Sequence, residues 1–448
     1  MKNLIKPIFL LVFCICMMSA TALVEESKTK EFIAGGLKVI FKPSVKEIIS
    51  VRLFIKGGTA NYNKVQEGIE SLALAVATEG GTKSLPMSDF GTALNKIGTT
   101  LGSSSDYDYS EINMSCIKTF WDDSWKLFAD AIINPRFEIQ SFELIKGKLH
   151  ASAREQESNP DVHVSIRSME VAYPGKNYSK IPNGTATSLE KLTLEQVKNH
   201  YGKVVGKANI FLVVVGNVTE ADLKSKIEAT LAKLGSVKPA PKEARDIIQP
   251  GVTIENRDIA TNYISGSMSV PSINEKDAAA FRLAASIMND RFFVELRTKR
   301  SLTYAPAVYY SGNLVNSPKT VFYASSTDPK QTLQVMVNEI NLVKNQGFME
   351  KELKNKKAKF LTNHYSRLET NDAQSISLGI AELAGNWKST ETFMAEVDKV
   401  SINDLNNAFK KYSNSINWMY LGKETEVTKE DFKQPQILPS GEKISPKN

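Results

Sequence analysis

Apolar residues recur along this chain at two different periods, and the switch from one to the other marks out its elements. LKVIFK (37–42) and IISVRLFI (48–55) are β-rich runs, the second followed by Gly57-Gly58, and read as antiparallel neighbours. Residues 66–78 form a helix that is apolar on nearly every side, as expected of a deeply buried one. In YDYSEINMSC, Ile112, Met114 and Cys116 point one way and polar residues the other, which predicts a half-buried strand. Helices follow at about 120–133, 138–157, 160–172 and 193–201. IFLVVVG (210–216) has the unbroken apolar run of a central strand. TEADLKSKIEATLAKLG is a capped helix with Thr219 at its start and Gly235 at its end.

The second half repeats the scheme: a strand at 262–270, a helix at 275–289, strands near 304–310 and 319–326, helices at 329–346, 350–366, 371–384 and 401–412, and the strand NWMYLG. The repetition extends to single residues. Phe137, Phe142 and Lys146 lie 211 positions before Phe348, Leu353 and Lys357. Each helical run passes through an Asn-centred break, Asn159-Pro160 or Asn371-Asp372, into a helix that ends near Gly175 or Gly385. Order and spacing persist over about 50 positions, which points to an ancient duplication. Strands gathered early with helices packed on one face give an α+β two-layer domain, twice. The Pro/Lys-rich passage 235–251 reads as the linker between a first domain, 23–234, and a second, 252–448.

Residues 1–22 carry Lys2 and Lys6, an apolar run from Ile8 to Met18 and the small-residue site Ala20-Thr21-Ala22, the pattern of a cleaved secretory signal peptide. No later stretch approaches the ~20 apolar residues of a spanning helix. An exported, periplasmic or envelope-associated chain is therefore expected. Cys14 and Cys16 leave with the signal, so Cys116 has no partner for an intrachain disulfide. The net charge of +7 is spread along the chain, and nothing in it points to nucleic acid. The four histidines, at 150, 163, 200 and 364, include no two within a helical turn of each other, which excludes a helix-borne two-histidine zinc site.

GIESLALAVATEGGT (68–82) resembles the zinc-binding helix of the pitrilysin/insulinase peptidases, stripped of its ligands. That family carries H-x-x-E-H here, two imidazoles one turn apart with the glutamate beside the metal-bound water. In this chain the three positions are Ser71, Leu74 and Ala75, and none can hold Zn²⁺ or accept a proton from its water. The family's distal glutamate aligns near Ser152, with Glu155 and Glu157 close by. RFFVELRTKRSLTYAPAVYY, from Arg291, is similar to the second-domain signature, a short helix ending in Leu-Arg, a basic turn and a tyrosine opening a strand. The resemblance makes Arg297 and Tyr304 substrate-binding residues: a guanidinium fork for peptide carbonyls and a phenol for the oxygen that turns anionic. Read without the family, Arg297 caps a helix and Tyr304 packs on a sheet. TTLGSSSDY, from Thr99, falls where the family enters a strand lining its chamber, but its own residues favour a plain turn.

The resemblance covers roughly residues 31–424 and implies two homologous domains in a clam-shell arrangement. It implies the short-form non-catalytic subunit: no cofactor in this chain, zinc in a partner with an intact H-x-x-E-H, and a heterodimer closing around a peptide. The competing reading is a stand-alone peptide-binding or scaffolding protein of the envelope. An independently active zinc peptidase is at odds with the missing ligands.

Overall fold

The computed structural model describes residues 28–312 and 314–433, so the expected signal peptide lies outside the described residues. The first half runs β1 (Lys30–Ala34), β2 (Leu37–Pro43), β3 (Ile48–Lys56), α1 (Ile69–Glu79), α2 (Met87–Lys96), β4 (Thr100–Ser105), β5 (Tyr109–Ile117), α3 (Trp121–Ile133), α4 (Ile139–Ser158), α5 (Pro160–Ala172), α6 (Ala186–Lys191), α7 (Leu194–Val204), β6 (Ile210–Gly216) and α8 (Glu220–Ala229). Residues 234–250 contain neither helix nor strand. The second half runs β7 (Gly251–Asn256), β8 (Asn262–Ser269), α9 (Ala278–Phe292), a π-helical turn Phe293–Thr298, β9 (Ala307–Ser311), β10 (Lys319–Ser326), α10 (Pro329–Gln346), α11 (Glu350–Arg367), α12 (Asn371–Leu383), α13 (Ser389–Lys399), α14 (Ile402–Tyr412) and β11 (Asn417–Gly422). The fold is α+β, two mixed sheets covered by helices, as the sequence leads one to expect.

The first sheet is ordered β1-β2-β6-β3-β5-β4 and the second β7-β11-β8-β10-β9. Each has one parallel pair, β2 with β6 and β7 with β11, and is otherwise antiparallel, so the five strands of the second sheet match β2, β6, β3, β5 and β4 of the first, and β1 is the one strand without a counterpart among the described residues. Three sequence expectations need correction. The strands β2 and β3 run in opposite directions but are not neighbours, because β6 lies between them. All seven residues of β6 are buried, and such a strand is satisfied by pairing on both edges with cover on both faces. Around Thr99 there is a strand, not a turn: β4 pairs with β5 from Thr100↔Ser115 to Ser105↔Ser110, and the chain reverses at 106–108. The helix expected over 219–235 is also shorter, with α8 ending at Ala229.

Alternation along each strand sends one set of side chains to each face of the sheet. Val51, Leu53 and Ile55 of β3, with Ile112, Met114 and Cys116 of β5, pack against the helices of their own half. The opposite set, Phe54, Tyr109, Phe211, Val213 and Val215, packs against Leu378 and Trp387, which belong to the second half. The exchange is reciprocal. Val164 of α5 in the first half packs on Met419 and Leu421 of β11 in the second sheet. The helix after each Asn-centred break therefore leaves its own domain and covers the outer face of the other sheet. Each half is the expected two-layer unit, and its third layer comes from its twin. The interface also holds buried polar clasps: Asp108 accepts from the Tyr178 hydroxyl at 2.6 Å and from the Val315 amide at 2.6 Å. Among the described residues, no helix is long and apolar enough to cross a membrane.

Candidate functional site

Helix α1 starts where Gly68 adopts a left-handed conformation at φ 85°, and a Cβ there would sit 2.8 Å from a Leu189 methyl. Ten of its eleven residues are buried, from Ile69 to Thr78, so the apolar pattern reports its environment faithfully. Leu74 is completely buried in the first core. Ser71 and Ala75 lie on the same face one turn apart, at 9% and 8% exposure. The Ser71 hydroxyl donates to the Asn183 side chain at 3.2 Å. Two alkyl groups and one engaged hydroxyl do not fit a zinc ion, which asks for imidazole, thiolate or carboxylate. Ser152 and Glu155 are exposed on α4, and Glu157 accepts from the Ala186 amide at 3.0 Å. Among the described residues there is no group of three His, Cys, Asp or Glu side chains placed to hold a metal.

Beside Ser71 sits a feature the sequence did not announce. Glu70 is fully buried, and its carboxylate accepts from Ser110 at 2.6 Å and Asn61 at 2.9 Å, and pairs with His200 Nε2 at 2.9 Å. Burial and then the Glu70 charge push the nearby Tyr62 phenol well above its usual range. These groups anchor α1 to β5 and α7 by polar contacts across the first core. An acidic residue inside an otherwise apolar helix was the available signal, but its partners come from residues 61, 110 and 200.

The two second-half residues singled out by sequence do meet. The Arg297 guanidinium lies 4.5 Å from the ring centre of Tyr304 and 5.0 Å from that of Phe293. Phe293 is 43% exposed and Tyr304 78%, so the cation is flanked by aromatic faces that solvent can reach. Among the described residues no carboxylate forms an ion pair with Arg297; the acid of that turn, Glu295, is engaged by Lys299 and Arg300. Tyr304 does not open a strand as expected: β9 begins three residues later, at Ala307, which leaves the phenol on a loop.

The chain thus has two α+β halves, a buried helix α1 in the first and an open cation–aromatic pair on the second. The chain belongs to the M16, or insulinase, family: the family described as insulinase (peptidase family M16) matches residues 38–185, and that described as peptidase M16 inactive domain matches residues 191–360. A relative from Helicobacter pylori named non-peptidase homolog YmxG is 22% identical over 385 residues, 81% of this chain and 86% of its own. One from Rickettsia felis named uncharacterized zinc protease is 22% identical over 392 residues, 85% of this chain and 94% of its own. Among solved structures, the peptidase M16 inactive domain from Pseudomonas fluorescens matches with TM-score 0.81 at 19% identity, covering 88% of this chain and 98% of that one. A chain of Complex III2 from Candida albicans matches with TM-score 0.73 at 18% identity, covering 88% and 96%. At these identities the solved structures establish the fold, and the chemistry is decided by the residues above.

Proposed function

We propose that this chain is the non-catalytic, pseudo-peptidase subunit of an exported insulinase-like zinc peptidase complex. A partner chain with an intact H-x-x-E-H supplies the zinc, and this chain supplies peptide binding and part of the chamber wall. The observation that carries the reading is the contrast between its two halves: Leu74 has closed the ligand helix into the core, while Arg297 and Tyr304 stay together and accessible. An unpaired guanidinium has donors free for peptide carbonyls, and an exposed phenol can donate to an oxygen that gains charge during hydrolysis. Strand β4 is an edge strand packed beside α1, with Thr78 of the helix 3.4 Å from Ser103, and its free edge suits an extended peptide added as a further strand. The non-peptidase name of the Helicobacter relative supports inactivity, and the Candida chain, which sits in a multi-subunit assembly, supports pairing. The signal-like residues 1–22 support export.

The test is co-expression with an exported chain that carries H-x-x-E-H, followed by size exclusion and peptide hydrolysis. A heterodimer is expected, and Arg297→Ala and Tyr304→Phe should each lower its turnover by about tenfold or more while leaving the subunit folded. Unchanged turnover in both variants removes these residues from the site. A chain that stays monomeric beside an active candidate supports the stand-alone peptide binder instead. Stoichiometric zinc in the chain by itself, with chelator-sensitive hydrolysis, overturns the proposal.

A further inference from the structure

The duplication allows the outer face of one sheet to be compared with that of the other, and the two differ in how they treat a buried cation. On the first sheet Arg52 of β3 is 6% exposed, and its charge is closed by two carboxylates. Its guanidinium pairs with Glu111 of β5 and, at 2.7 Å, with Asp372 of the crossing helix α12, while Nε donates to Ser375 at 3.0 Å. On the second sheet the cation at the matching interface is Lys319 of β10, also 6% exposed, under the crossing helix α5. Its ammonium reaches the Ser267 hydroxyl at 3.4 Å, and among the described residues it forms no ion pair with a carboxylate. Asp161, which stands 211 positions before Asp372, does not take that role and accepts instead from the Tyr323 hydroxyl.

Where the first sheet is closed by its ion pairs, the second holds a cavity of about 200 Å³, lined by Lys319, Ser168, Ser265 and Tyr323. Ser168 comes from α5 of the first half and is 3% exposed, and its hydroxyl has no hydrogen-bond partner. Ser265, from β8, is also 3% exposed. An ammonium carries three donors, and a single long contact to Ser267 leaves most of that capacity facing the cavity. Burial pushes the Lys319 ammonium down to about 8, which still leaves it charged at neutral pH. A buried charge and a buried hydroxyl, both short of partners and sharing one cavity, call for a ligand that accepts hydrogen bonds and carries negative charge.

We propose that this cavity is a binding site for a small oxyanion, a carboxylate or a phosphate group, held by the Lys319 ammonium and the Ser168 and Ser265 hydroxyls. Asp161 and Tyr309 also line the cavity and are the exposed part of its wall, so a single anionic head fits against the buried Lys319 side while an extended polyanion meets the Asp161 carboxylate. The walls come from both halves, so an occupied site ties the crossing helix α5 to the sheet it covers. The proposal is independent of the peptide-binding reading, since none of Phe293, Arg297 and Tyr304 lines this cavity.

The test titrates the full chain with inorganic phosphate and, separately, with acetate at constant ionic strength balanced by chloride, following the melting temperature and the heat of binding. A saturable rise with one site per chain is expected for at least one of the two anions, and which one saturates identifies the head group. Lys319→Met should abolish it. Ser168→Ala combined with Ser265→Ala should raise the half-saturating concentration about tenfold, and this pair carries the test if Lys319→Met does not fold. The proposal is overturned if neither anion gives a rise beyond that of chloride, or if the half-saturating concentration is the same in wild type and the serine variant.

Discussion

Leu74, which the resemblance to the zinc helix aligns with its glutamate, is fully buried. Rebuilding the motif as Ser71→His, Leu74→Glu and Ala75→His should therefore lower stability by roughly 3 kcal/mol or more, because the new carboxylate is buried without partners. Urea midpoints should show that loss, and metal analysis should find no stoichiometric zinc in the rebuilt chain. Lys319 gives a second residue-scale prediction, in which the pH dependence fixes the sign. Its folded-state pKa is lowered to about 8, so the buried charge destabilises the protein fully below that pH. The penalty is relieved as pH rises toward the unfolded lysine value of about 10.4. In chloride buffer, Lys319→Met should be more stable than wild type by about 3 kcal/mol at pH 7, and the gap should narrow to about 1 kcal/mol near pH 9.5. Denaturant midpoints of the two proteins across that range check it. At this scale the identities of Ser71, Leu74 and Ala75 were legible because each is read directly from its own position. The Glu70–His200 pair and the lack of a carboxylate beside Lys319 were not, because each is defined by residues that only the fold brings together.

Helices and strands were mostly legible because each is set by local period: the expected helix at 160–172 matches α5 residue for residue, and β6 was recognised as central from its unbroken apolar run. Neighbour relations were not legible. Nothing between Leu37 and Ile55 reveals that a strand from residue 210 will part β2 from β3. Strand β4 was read as a turn because its glycine and serines suit loops, and pairing with β5 overrides that preference. The crossing helix α12 also depends on a detail that propensity would misjudge. Gly379 faces the Phe54 ring so closely that a Cβ would overlap it. Gly379→Ala adds up to about 1 kcal/mol of helix propensity, but overpacking against a buried ring costs about 1–3 kcal/mol. A net loss is expected, seen as a lower melting temperature together with faster amide exchange in α12.

Across the whole molecule, the reciprocal helix exchange should make the two domains one cooperative unit although each has its own sheet and core. Phe54, Phe211 and Val213 face Leu378 and Trp387, so a first half expressed alone would expose a broad aromatic and aliphatic surface. Residues 23–240 and 241–448 produced separately should each aggregate or remain loosely folded, and should recover native circular dichroism when refolded together. The intact chain should unfold in urea in a single transition, with tryptophan fluorescence and circular dichroism superimposed; two separated transitions would mean that the crossing helices contribute little.

That exchange also bears on ancestry. A chain of half this length would leave the outer face of its sheet bare and would need a second copy to lend it a helix, the arrangement expected of a paired ancestor. Once joined end to end, the copies no longer had to stay identical. One could keep its arginine locked between acids while the other opened a hollow around a lysine, and either could change its side chains without losing the embrace that holds both.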